Sequence, residues 1–118
     1  MDAMTTDQEA RYAQLLQQFL EDYVRERYSR DPSGIENHVI VDPQGKHFQL
    51  LRVGWTRGRH IFGVRFHFDL KDGKVWVQAN NTEEMIGDEL IKYGIAREDI
   101  VLAFHPPELR VHTGFGVG

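Results

Sequence analysis

A chain of 118 residues with no cysteine and a formal net charge of −4 is the size of one domain. A domain of that size buries roughly two-thirds of its unfolded surface and folds without disulfides or a structural metal. The missing cysteine excludes thiol catalysis and cysteine-type zinc sites, and the acidic balance disfavours a protein held chiefly by nucleic-acid phosphate. No stretch is apolar for long enough to span a bilayer, and the first residues lack the basic-then-apolar order of a signal peptide. A single domain over residues 1–118, resident in the cytoplasm and without membrane contact, is therefore expected.

The first predicted element is a long amphipathic helix. Tyr12, Leu15, Leu16, Phe19, Leu20, Tyr23 and Val24 recur at helical spacing, and Gln14, Gln17, Glu21 and Arg25 form the opposite, wet face. Thr6 and Glu9 have capping-box spacing, which predicts a start near Asp7. Asp31-Pro32-Ser33-Gly34 ends the helix. Strand-like runs follow at Asn37 to Asp42, Phe48 to Trp55, Ile61 to Leu70 and Lys74 to Asn80, with turns at Pro43-Gln44-Gly45-Lys46, Arg57-Gly58 and Asp72-Gly73. A second helix is expected from a cap at Asn81 or Thr82, with Glu83, Glu84 and Asp88 near its positive end, a stripe of Ile86, Leu90 and Ile91, and Gly94 at its close. Arg97-Glu98-Asp99 reads as a short helical turn. Ile100 to Phe104 reads as a buried strand stopped by Pro106-Pro107. The Gly-rich tail from Thr113 reads as loose, or as a thin strand against a neighbour. The fold class is α+β: a long N-terminal helix, a four-stranded antiparallel meander, a second helix and a C-terminal strand-like segment.

The tight turns predict a register. Asp72-Gly73 sets Lys71 opposite Lys74, and an unbroken ladder then pairs Phe68 with Val77, His67 with Gln78, Phe66 with Ala79 and Arg65 with Asn80. Arg57-Gly58 sets Trp55 opposite His60, Val53 opposite Phe62 and Leu51 opposite Val64. On this reading Leu51, Val53, Phe62, Val64, Phe66, Phe68, Val75 and Val77 share the core face. The other face gathers Arg65, His67, Asp69, Trp76, Gln78 and Asn80.

His67 and Asp69 point the same way on one strand, a pattern that suits a metal or an oriented general base. Two ligands are too few for zinc, so His105 or Glu83 would have to join them. His105 itself sits in a proline-restrained loop after a strand. Arg65, His67, Asp69, Trp76, Gln78, Asn80 and His105 are read as a hydrogen-bonded structural cluster or, alternatively, a recognition surface. The fourth strand offers no carboxylates for a two-metal nuclease. There is no phosphate-binding glycine loop, and Ser29 and Ser33 both lie in the loop after the first helix. No catalytic residue, metal-ligand set or cofactor is assigned, and the reading leans away from an enzyme. Arg52, Arg57, Arg59 and Arg65 form the one basic grouping, read chiefly as a solvated sheet edge, so direct DNA binding is disfavoured.

Several word-like segments carry a resemblance. Gln49-Leu50-Leu51-Arg52-Val53-Gly54-Trp55 is followed by Gly63, by His67-Phe68-Asp69-Leu70-Lys71-Asp72-Gly73-Lys74-Val75-Trp76-Val77-Gln78, by Thr82-Glu83, by Asp99-Ile100-Val101-Leu102-Ala103-Phe104-His105 and by Thr113-Gly114-Phe115. In order and spacing the chain resembles the XisI family, the cyanobacterial fdxN element excision controlling factor. The resemblance implies an accessory role in programmed site-specific excision of a DNA element during heterocyst differentiation. The expected partners are a nuclease-like XisH protein and a recombinase complex, and a homo-oligomer is expected. The alternatives are an antitoxin-like neutraliser of XisH, or a small metal-dependent enzyme using His67, Asp69 and His105.

Overall fold

The apolar stripe of the first helix is what seats it on the sheet. In the computed structural model, which describes residues 3–118 and side chains from Asp7 onward, α1 runs Ala3–Tyr28. Tyr12, Leu16, Phe19 and Leu20 are buried, and Leu15, Tyr23 and Val24 pack at their margin. Gln14, Gln17, Glu21 and Arg25 are exposed as expected. The helix is already formed at Ala3, ahead of the start expected near Asp7, because nothing in this stretch breaks a helix. The Thr6 side chain lies outside the described residues. Glu9, the other half of the expected capping box, is turned to tertiary partners, accepting from Lys46 Nζ at 2.7 Å and the Gly73 N–H at 2.9 Å.

Strands β1 (Glu36–Val41), β2 (His47–Thr56), β3 (Arg59–Lys71) and β4 (Lys74–Asn80) form the expected antiparallel meander. Asp72, Gly73, Arg57 and Gly58 all have positive φ, so both tight turns have the twist that suits a two-residue hairpin. The C-terminal segment β5 (Ile100–Leu102) joins the same sheet parallel to β4, giving the order β1-β2-β3-β4-β5. A parallel neighbour needs a crossover, supplied by α2 (Ile86–Lys92). This helix begins later than Asn81 or Thr82. Asn80 Oδ1 instead accepts from the Thr82 N–H and hydroxyl, and Thr82 Oγ1 accepts from the Glu84 N–H, so residues 80–84 satisfy themselves as nested turns. The close of α2 is as expected. Gly94 (φ +107°) donates to Ile91 O and Ile95 donates to Leu90 O, a Schellman pair.

Two bulges change the predicted register. Leu51 faces Val64, but Leu50 faces Phe66, leaving Arg65 as an extra residue in β3. Phe68 faces Val77, but His67 faces Ala79, leaving Gln78 extra in β4, and Phe66 then faces Asn80. Beyond each bulge the alternation changes hand. Phe48, Leu50, Phe66, Phe68, Leu70, Val75 and Val77 therefore form the buried face under α1 and α2. Leu51, Val53, Phe62 and Val64, expected in that core, lie on the other face, where Phe62 is 68% exposed.

Phe19 knits the core, its ring 5.4 Å from both Phe66 and Tyr93. Arg97–Asp99 forms a short 3-10 turn, and α3 (Pro107–Arg110), absent from the sequence reading, starts where Pro106-Pro107 ends the extended chain. The tail meets its own sheet: Gly116 bridges to Val101 and donates to Ile100 O at 2.7 Å. Phe115 lies so close to α2 that a Cβ on Gly87 would come within 2.3 Å of its ring. Among the described residues no helix is long and apolar enough to cross a membrane.

Candidate functional site

The face of the sheet turned away from α1 carries two adjoining regions. At the β2–β3 turn end it is apolar. Leu51 faces Val64, Val53 faces Phe62 and Trp55 faces His60, with His38 and Glu36 of β1 beside Leu51 and Val53. Trp55 is 67% exposed. The Trp55 and His60 rings lie 4.8 Å apart, and His60 stacks on Phe62 at 6.5 Å. Arg57 and Arg59, at the adjoining turn, are exposed and line a shallow pocket with Asp31, Pro32 and Ser33 of the loop after α1.

Past the bulge at Arg65 the same face turns polar. His47 stands opposite Asp69 and Gln49 opposite His67, so four side chains form a rectangle on two strands. His47 Nδ1 is 2.6 Å and His67 Nε2 2.8 Å from one oxygen, Asp69 Oδ1. Gln49 Oε1 is 2.9 Å from the far nitrogen of His67, Nδ1. Burial pushes the Asp69 carboxyl up, but the hydrogen bonds from His47 and His67 outweigh it and hold the group below the usual carboxylate value. The hydrogen bond to Asp69 raises His47 above an ordinary imidazole.

Of the residues singled out from the sequence, the structure brings His67, Asp69 and Trp76 together. Trp76 is opposite Asp69 and donates to Lys71 O at 3.1 Å. It is covered by the C-terminal segment, with the Arg110 guanidinium 5.6 Å from its ring. The others are dispersed. Arg65 and Gln78 are the two bulge residues, Arg65 donating to Asn81 O and Gln78 exposed. Asn80 is on the helix side, donating to Glu84 O. His105 lines a shallow pocket beside α2 with Asn80, Ile86, Gly87, Phe104 and Phe115. It does not join His67 and Asp69; among the described residues His47 is the third member of that cluster.

The basic grouping is also divided. Arg52 lies on the helix side, only 8% exposed. Its Nη2 donates to Asp31 at 2.6 Å, its Nε donates to Asn37 at 2.9 Å, and its guanidinium lies 3.9 Å from the centre of the Tyr28 ring. It is a joint between the end of α1 and the sheet.

Sequence reasoning missed His47 and Gln49 because it missed the bulge. Continued without interruption, the turn at Arg57-Gly58 would set His47 opposite Phe68 and Gln49 opposite Phe66. The same ladder would set Phe48 opposite His67 and Leu50 opposite Arg65. That mismatch of large apolar and charged residues was the available signal for one extra residue in β3.

The family profile of the XisI protein matches residues 6–117. The chain belongs to the XisI family. Its fold is that of a XisI-like protein from Anabaena variabilis, 36% identical, with a TM-score of 0.83 over 93% of this chain and 99% of that one. The fdxN element excision controlling factor XisI from Anabaena variabilis is 26% identical, with a TM-score of 0.77 over 94% of this chain and 99% of that one. No curated protein matches the chain. The long helix and the sheet are thus the framework of a XisI-family member.

Proposed function

We propose that this XisI-family protein is an accessory factor that controls excision of a DNA element by contacting a protein partner. The relative from Anabaena variabilis described as the fdxN element excision controlling factor supports the process. The open apolar end of the sheet supports the mode of action and is the observation that carries it. Removing Trp55 and Phe62 from water in an interface would be favourable, and solvent-facing clusters of large aromatics mark interaction sites. The net charge of −4 and the burial of Arg52 both weigh against a DNA-phosphate surface.

The partner the family resemblance points to is a XisH-like companion. Co-expressed with such a protein from the same genome, the chain is expected to co-purify with it at micromolar concentration. Replacing Trp55 and Phe62 by Ala is expected to weaken that association by at least about 30-fold, the size of an interface hot spot. The urea midpoint of the free chain should stay within error, because both side chains already face water. Failure to associate, or association that ignores the double substitution, overturns the reading. DNA binding that survives in high salt would do so as well.

A further inference from the structure

His47, His67 and Asp69 on the open face aim three donor atoms at one point, and we propose that they bind a divalent first-row transition-metal ion, a property independent of the partner contact proposed above. The ligand atoms of the three side chains all lie within 4.8 Å of one another. Both imidazoles approach the same carboxylate oxygen, at 2.6 and 2.8 Å. A tetrahedral zinc ion with bonds of about 2.0–2.1 Å spaces its ligand atoms by about 3.3 Å. Opening the His47 approach by about 0.7 Å and the His67 approach by about 0.5 Å brings both to that spacing. His47 can make that adjustment, because its side chain is 57% exposed and it is the first residue of β2.

Gln49 supplies a second, independent indication. Its Oε1 faces Nδ1 of His67 at 2.9 Å, and a carbonyl oxygen there makes Nδ1 the protonated nitrogen. That leaves Nε2, 2.8 Å from Asp69 Oδ1, as the ring nitrogen turned toward the carboxylate. A cation seated between the two would take both as ligands. Metal-bound histidines characteristically donate their other ring N–H to an oxygen of this kind, which fixes the tautomer and the ring plane. The arrangement is also held firmly, since His47–Asp69 and Gln49–His67 are successive opposed pairs on neighbouring strands.

The donor set selects the ion. Two imidazoles with one carboxylate suit zinc, manganese, iron, cobalt or nickel, whereas calcium and magnesium prefer all-oxygen sites and copper(I) prefers sulfur. Three protein ligands leave coordination positions for water on the side that His47 exposes.

The test uses chelator-stripped full-length protein, titrated with zinc by calorimetry and with cobalt(II) by absorption spectroscopy. A single ion per chain is expected, with a cobalt spectrum of nitrogen and oxygen ligation. His47→Ala and Asp69→Asn should each weaken zinc binding by at least about 100-fold, and Gln49→Leu by about 10-fold, with Gln49→Glu restoring it. His47→Ala removes an exposed side chain, so that variant should melt with the wild type. Wild-type spectra give a readout that needs no variant: zinc should shift the ring-proton signals of His47 and His67 and leave those of His38, His60, His105 and His112 in place. The proposal is overturned by absence of binding at about 100 μM zinc, by a His47→Ala loss under about tenfold, or by shifts confined to the other histidines.

Discussion

On β3, Phe66 and Phe68 point at α1 and are fully buried, whereas Phe62, a few residues earlier on the same strand, points the opposite way and is 68% exposed. All three occupy even positions of an alternating apolar strand. The single extra residue at Arg65 separates them. One half of the strand is thereby committed to the core, and the other half presents its aromatic residues to whatever docks there. A bulge costs little, since only one residue goes unpaired, yet it reassigns every side chain beyond it. The difference teaches that a sheet with one face sealed can make a surface from residues of core composition.

The sharpest way to break this comparison is to truncate one phenylalanine on each side of the bulge. Phe66→Ala should destabilise by about 3–5 kcal/mol, through lost burial and the cavity left against Phe19 and Tyr23. Phe62→Ala should change stability by no more than about 0.5 kcal/mol, as for an ordinary surface site. Urea denaturation of the two variants reads this directly. Equal losses would mean that the two halves share one core face, and the bulge at Arg65 would then be wrong.

A second, smaller effect separates the two ends of the buried face. Under the middle of α1 that face is apolar, but under Tyr28 it is held by Arg52. Arg52→Leu removes the ion pair to Asp31, the hydrogen bond to Asn37 and the stacking on Tyr28. It also leaves Asp31, 21% exposed, without its cation. A buried pair broken on one side costs about 3–5 kcal/mol. Partial exposure of Asp31 reduces the expected loss to about 2 kcal/mol. Arg52→Lys should recover only part of it, because an ammonium cannot make the Nε and Nη2 contacts together. Thermal melts of both variants check the ordering. A loss within error for Arg52→Leu would return that side chain to the class of solvated arginines.

Much of this was legible in the sequence because it is local. The stripe of α1, the turns at Arg57-Gly58 and Asp72-Gly73 and the close of α2 at Gly94 each depend on a few adjacent residues, and each appears where the sequence points. The faces of β2 and β3 depend instead on a count across two turns, in which an error of one residue is an error everywhere beyond it. Phe62 and Val64 were misplaced for that reason, and so was the third member of the His67–Asp69 cluster. The start of α2 failed differently. Asn80, Thr82 and Glu84 have the composition of a helix cap, but their side chains close nested turns first, a competition that propensity alone does not rank. Arg65, Gln78 and Asn80 were grouped with His67 by an unbroken alternation that the bulges dissolve, and His105, expected to join them from the loop after β5, lies beside α2 instead.

The smallest predicted effect concerns the seam where α1 meets the turns of the sheet. Glu9 accepts from Lys46 and from the Gly73 N–H. The Lys46 hydrogen bond first, and the Gly73 N–H second, hold its carboxyl below the usual carboxylate range. A carboxylate lowered in the folded state contributes stability that is fully present above its unfolded value and is lost as pH falls through the folded one. Glu9→Gln keeps the shape and removes the charge, so at neutral pH it should cost about 1 kcal/mol. That difference from wild type should hold between about pH 7 and pH 5 and shrink below about pH 4.5. Urea midpoints at successive pH values measure it. A gap that widened in acid would show that Glu9 is strained in the fold, and that the hydrogen bonds tying α1 to the β3–β4 turn are not what stabilises that seam.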